Sequence, residues 1–245
     1  MPRGQPDFGM YAAKEDVASL ADMADLAVRL GSIVEYDRRG DVIYLDDFEA
    51  PAEKFRSTAI SGGYVVLDGE VALSAAQSVK LVTAATKDNY QSIFIHLSPV
   101  ALGKHGVKIS ASLYEMQNHD SHFIIWEDVE YGLLGYSAGI KINPYNKTLE
   151  YYDRDEGWVV FDDSFTVLGT TKRVFHNMKL VVDFTTGKYV RFMFDVFTWD
   201  LSEYNLDFYE PTPDYIYVAN FELRTLENEV RTIWLDDFVY TINEP

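Results

Sequence analysis

From residue 32 onward apolar and polar positions alternate with period two, which turns successive side chains to opposite faces of a strand. The spacing predicts strands over 32–36 and 41–48 about a turn at Arg38-Arg39-Gly40. It predicts another pair over 64–67 and 70–73 about Asp68-Gly69, a strong hairpin signal. Further strands are expected over 79–85, 92–97, 107–116, 122–129, 136–142, 148–152, 158–161, 177–184, 189–197, 215–224 and 232–242. The pattern is cleanest where Met178, Leu180, Val182 and Phe184 oppose Asn177, Lys179 and Asp183. Val190, Phe192, Phe194 and Val196 repeat it after the turn at Thr186-Gly187. Many short strands, polar turns and no later helical stretch predict an all-β antiparallel sandwich.

The first forty residues follow a different rhythm. Pro2 and Pro6 suit an extended arm, and 11–30 carries helical spacing. Val17, Leu20, Ala21, Ala24, Ala27 and Val28 form an apolar face that Met23, Leu26 and Leu30 widen. Glu15, Ser19, Asp22 and Arg29 form the polar stripe, and Gly31 is a natural stop. The chain thus divides into 1–40, an arm with an amphipathic helix and the first hairpin strand, and 41–245, the sandwich. Two packings are open for the helix, in a groove of its own sandwich or against copies and partners. In the second, Phe8, Tyr11, Val17, Leu20, Met23, Leu26 and Leu30 make an assembly arm.

Two stretches carry a resemblance. One runs from Gly139-Ile-Lys-Ile-Asn-Pro to Gly157-Trp158-Val159. The other begins Phe175-His-Asn-Met-Lys-Leu-Val-Val-Asp-Phe-Thr-Thr-Gly-Lys-Tyr-Val-Arg-Phe and ends at Trp199-Asp200-Leu201. Together they resemble the concanavalin A-like lectin/glucanase superfamily, its laminin G-like members above all, with Phe175 where Trp is usual. The resemblance spans about residues 41–242 and implies a jelly roll. It leaves function open among lectins, glycosidases, adhesion modules and virion proteins. The opening Arg-Gly-Gln-Pro-Asp-Phe and its helix also resemble arms of tailed-phage structural proteins.

Composition narrows the chemistry. With no Cys, disulfides, thiolate metal sites and cysteine catalysis are excluded. A formal charge of −18 opposes nucleic acid and anionic membrane, and favours cations. No apolar run is long enough to span a bilayer, and no Sec-type signal opens the chain. The expected location is therefore a virion, or the cytoplasm before assembly or release.

Ile43-Tyr44-Leu45-Asp46-Asp47-Phe48 near the start matches Ile233-Trp234-Leu235-Asp236-Asp237-Phe238 near the end. In the superfamily it resembles, first and last strands are neighbours, so Asp46, Asp47, Glu49, Asp236 and Asp237 are candidate Ca²⁺ ligands. Strand ends facing water are the alternative. Asp153, Asp155 and Glu156 before Gly157 read as a hairpin tip, and His119 and His122 straddle a turn. Aromatic residues that stack on sugars are candidates in Tyr136, Tyr145, Tyr152, Trp158, Trp199, Tyr204 and Tyr209. Glu127-Asp128-Val129-Glu130 departs from the superfamily's catalytic Glu-x-Asp-x-Glu, because only Asp128 and Glu130 share a face. A non-catalytic binding or structural protein is therefore expected, a phage capsid-decoration or tail component, homo-oligomeric or joined to other subunits through its arm. The alternative is a lectin-like carbohydrate-binding module or, further off, a glycoside hydrolase.

Overall fold

A computed structural model of the chain describes residues 39–49, 55–60, 62–74, 76–98, 101–167, 169, 171–210 and 214–245. The arm and helix, with Phe8, Tyr11, Val17, Leu20, Met23, Leu26 and Leu30, and the strand expected over 32–36, lie outside these residues. The described part is an antiparallel β-sandwich of two 8-stranded sheets. Its strands are β1 (Asp41–Asp46), β2 (Arg56–Ala59), β3 (Tyr64–Asp68), β4 (Ser78–Val82), β5 (Tyr90–Leu97), β6 (Lys104–Ser112), β7 (Ser121–Gly132) and β8 (Leu134–Asn143). There follow β9 (Thr148–Asp153), β10 (Gly157–Asp162), β11 (His176–Asp183), β12 (Lys188–Phe194), β13 (Phe197–Asp200), β14 (Asp207–Tyr209), β15 (Asp214–Thr225) and β16 (Thr232–Ile242).

Sheet I runs β13-β12-β11-β6-β16-β4-β3, with β1 also on β16. Sheet II runs β10-β9-β8-β7-β15-β5-β2, with β14 on the outer part of β8. The inward side chains of the two sheets meet in one apolar core. Val107, Ile109, Leu180, Phe192 and Leu235 of sheet I are fully buried there, as are Ile93, Phe123, Ile125, Ile140 and Phe221 of sheet II. Period-two alternation alone selects those positions, which is why the sandwich was legible.

The differences from expectation are local. Residues 70–73 form bends instead of a hairpin strand, because side chains take their backbone donors. Asp68 accepts from the Glu70 N–H, and Asp236 accepts from the N–H groups of Leu73 and Ser74. The stretch expected over 189–197 breaks into β12 and β13 at Asp195, whose φ is 49°. Short β2 and β14 carry too few residues to show a period.

Candidate functional site on the outer face of sheet II

Alternation along β7 sends Phe123, Ile125 and Val129 into the core and leaves His122, Trp126, Asp128 and Glu130 on the other face. In the neighbouring strand Gly139 stands directly opposite Trp126. A Cβ there would lie 2.6 Å from Trp126 Cζ3 and 3.0 Å from Trp158 Cη2. The missing side chain therefore lets both indoles approach the β8 backbone closely, tilted 59° to each other. Trp126, Tyr152 and Trp158 form a triangle with ring centroids 5.1–5.4 Å apart, and all three are half-buried. From beneath, the Tyr189 hydroxyl accepts the Gly139 N–H at 2.9 Å and donates to the Tyr152 carbonyl at 2.9 Å. The surface aromatics are thus fixed to the core.

Beside the indoles is a recess of about 240 Å³ lined by Asp88, His122, Ile124, Trp126, Lys141, Trp158, Glu222, Arg224 and Leu226. Its end wall is built by backbone bonds: Asp88 N–H donates to Thr225 O at 2.9 Å, and Leu226 N–H to Asp120 O at 3.1 Å. The charges come in pairs. Lys141 pairs with Glu150 and lies 4.9 Å from the Trp158 ring centroid. Arg224 pairs with Glu222 at 2.8 Å and sits over the Tyr90 ring at 5.1 Å. Burial pushes the His122 imidazole down to about 4, helped by the positive charge of Lys141, so it is neutral at neutral pH. Burial raises Glu222, and Arg224 opposes the shift.

Further along the same face, Asp128 accepts from the Ser137 hydroxyl, and the Tyr209 hydroxyl donates to Glu130 at 3.4 Å. Burial lifts the Asp128 carboxyl to about 6, with Glu130 and Asp207 adding like charge. Glu127 turns the other way, into the core, where the Tyr217 hydroxyl donates to it at 2.8 Å. Its burial raises its carboxyl well above the ordinary range.

Of the aromatic candidates, the structure brings Tyr152 and Trp158 together and adds Trp126. Tyr209 lies over Gly135 on the same sheet, and Tyr136 packs on Phe208 with centroids 5.4 Å apart. Tyr204 stacks on Tyr151 at 4.1 Å, Trp199 packs on Phe192 in sheet I, and Tyr145 is exposed in the turn after β8. Trp126, Lys141, Glu222 and Arg224 were not among the sequence candidates, and His122 reads in the sequence as part of a turn with His119. Their signal was cross-strand register, which needs the pairing of β7, β8 and β15.

The first and last strands do pair, with Asp46 opposite Phe238. The acidic side chains at that junction take backbone and hydroxyl donors. Asp46 accepts from Phe48 N–H and Tyr44 O–H, both at 2.9 Å, and Asp47 from Glu49 N–H at 3.3 Å. Glu49 accepts from the Ala76 and Gln77 N–H groups, each at 2.8 Å, and Asp237 from the Ser74 hydroxyl at 2.8 Å. These contacts tie the strand junction to neighbouring turns. Among the described residues, the group of three His, Asp or Glu side chains whose ligand atoms all lie within 4.8 Å of one another is His119, Glu227 and Glu229. Arg231 already bridges those two carboxylates at 2.6 and 2.8 Å. Asp153 closes the β9–β10 tip by accepting from the Asp155 and Glu156 N–H groups. Among the described residues no helix is long and apolar enough to cross a membrane.

The described residues form an antiparallel jelly-roll β-sandwich that carries an aromatic cluster on one outer face. No family model matches the chain, and no curated protein matches its sequence. Three solved structures share the fold over most of its length. The cellulose-induced protein Cip1 is 19% identical, with a TM-score of 0.54, over 81% of this chain and 96% of that one. The endo-β-1,4-glucuronan lyase of the fungus Trichoderma reesei is 14% identical, with a TM-score of 0.55, over 83% and 96%. The alginate lyase vAL-1 of a Chlorella virus is 9% identical, with a TM-score of 0.56, over 82% and 100%. Two of the three are named as polysaccharide lyases, which corrects the expectation of a non-catalytic chain. Lacking Glu-x-Asp-x-Glu excludes one catalytic pattern, and this sandwich is also a scaffold on which lyases are built.

Proposed function

We propose that the chain is a carbohydrate-active protein that engages a polysaccharide across the outer face of sheet II. The triangle of Trp126, Tyr152 and Trp158 over Gly139 carries this reading. Aromatic faces fixed beside a recess of hydrogen-bonding side chains suit sugars, which present apolar C–H faces and polar rims. The likeness to Cip1 and two lyases supports the reading at the level of the scaffold. Affinity electrophoresis through gels cast with a panel of polysaccharides tests it. At least one gel is expected to retard the wild type and to release Trp126→Ala. Equal mobility of both proteins in every gel would refute it.

A second reading adds cleavage. Asp128, partly protonated near pH 6, stands two residues from Glu130 on the same face. A carboxyl whose proton affinity burial raises, with a second carboxyl on the same face, is an arrangement that glycoside cleavage uses. Reducing-end release that Asp128→Asn abolishes while gel retardation persists would support it.

A further inference from the structure

We infer that the recess beside Trp126 and Trp158 selects one neutral sugar unit and rejects a uronate. This rests on the glycan reading of the face and narrows its substrate class. The basis is the charge inventory of the lining. Lys141 and Arg224 line the recess, and each is bound to a carboxylate of its own, Glu150 and Glu222. Asp88 adds another negative group at the end wall. The neutral imidazole of His122 contributes donor and acceptor atoms but no positive charge.

An incoming sugar carboxylate would therefore compete with Glu222 for Arg224 or with Glu150 for Lys141, and full pairing would require displacing one of them. Either displacement strands a carboxylate whose side chain is only 9% or 13% exposed, and such a group is costly to leave unpaired. The chain's net charge of −18 adds long-range repulsion of any polyanion. Sugar hydroxyls meet no such barrier. The Glu222–Arg224 pair offers an acceptor and a donor side by side, and His122, Lys141 and Asp88 add others around the ring. At about 240 Å³ the recess falls below the roughly 300–1,000 Å³ of a drug-sized ligand's pocket, and so accepts a single sugar unit. The two named lyases take uronate polymers according to their names, so this inference separates the chain from them.

The test compares matched oligosaccharides that differ only at C6. Calorimetry would measure β-1,4-glucan against β-1,4-glucuronan, and β-1,4-mannan against β-1,4-mannuronan, on wild type, Trp126→Ala and Glu222→Gln. At least one neutral member is expected to bind at least tenfold tighter than its uronate partner. Glu222→Gln, which frees Arg224, is expected to narrow that ratio. A uronate that binds wild type as tightly as its neutral partner, with binding lost in Trp126→Ala, would overturn the neutral-sugar inference and leave the site standing. Absence of binding by all four, or binding indifferent to Trp126→Ala, would overturn the site and the inference with it.

Discussion

Gly139→Ala is the perturbation that addresses the platform most narrowly. The added methyl would stand 2.6 Å from Trp126 Cζ3 and 2.7 Å from Cε3, where carbon atoms settle at about 3.5–4.0 Å. The Trp126 ring must therefore lift by about 1 Å, and Trp158, 3.0 Å from the same methyl, must tilt with it. Both rings lie on the outer face, so the strain is relieved outward, and the stability loss is expected at the low end of about 1–3 kcal/mol. The binding loss should be larger in proportion. A sugar face covering about 60–80 Å² of aromatic surface contributes about 2 kcal/mol at ~25 cal/mol per Å². Disturbing that stacking contact should weaken binding by roughly tenfold or more. Gly103→Ala is the control, because nothing lies within 4 Å of its added methyl. Calorimetric titration with the best-bound polysaccharide, alongside thermal melts, reads both effects. Unchanged affinity in Gly139→Ala, with melting also unchanged, would show that the indoles do not rest on that glycine or do not touch the sugar.

Further consequences follow from the buried groups. Glu127 is fully buried with a raised carboxyl, so the folded protein holds a proton that the unfolded chain releases above about 4.5. Stability should fall as pH rises from that value toward the folded-state value. Glu127→Gln, which still accepts the Tyr217 hydroxyl, should flatten this slope in urea melts between pH 4 and 9. Glu244 is bound by Lys179 at 2.6 Å and Arg191 at 2.5 Å with its side chain wholly buried. Glu244→Ala should cost about 3–5 kcal/mol in denaturant unfolding, as removal of one member of a buried pair does. Asp46→Ala combined with Asp237→Ala should lower the melting temperature equally in Ca²⁺ and in chelator, because those carboxylates serve N–H and O–H donors. A loss confined to the Ca²⁺ buffer would show an ion at the strand junction.

The long strands were legible because burial on one face imposes period two. β11 and β15 run through enough residues to display it, whereas in β16 the core-facing residues change parity at the irregularity between Asp236 and Val239. The pairing of β1 with β16 was expected from the resemblance, in which first and last strands are neighbours. Legibility failed where side chains outcompeted the ladder, as when Asp236 captured the amides of Leu73 and Ser74. The site was less legible than the fold. Trp158 and Tyr152 stood out as aromatics near each other in sequence, whereas Trp126 and Gly139 look like ordinary strand positions until their strands are paired. The recess is also assembled across distant strands. Glu222 stands opposite Ile124, and Lys141 opposite the same residue on its other side. Nothing within a single strand announces that convergence.

The four tryptophans offer the most direct measurement of where a glycan sits. In a ¹⁵N correlation spectrum each indole N–H gives a separate peak. Trp126 and Trp158 lie on the platform, whereas Trp199 donates to Asp162 and Trp234 to Asp68 elsewhere on the sandwich. On titration with a retarding polysaccharide, the Trp126 and Trp158 indole peaks should shift together and saturably, while those of Trp199 and Trp234 stay in place. Movement of Trp199 or Trp234 with Trp126 and Trp158 unaffected would place the glycan elsewhere and contradict the platform on sheet II.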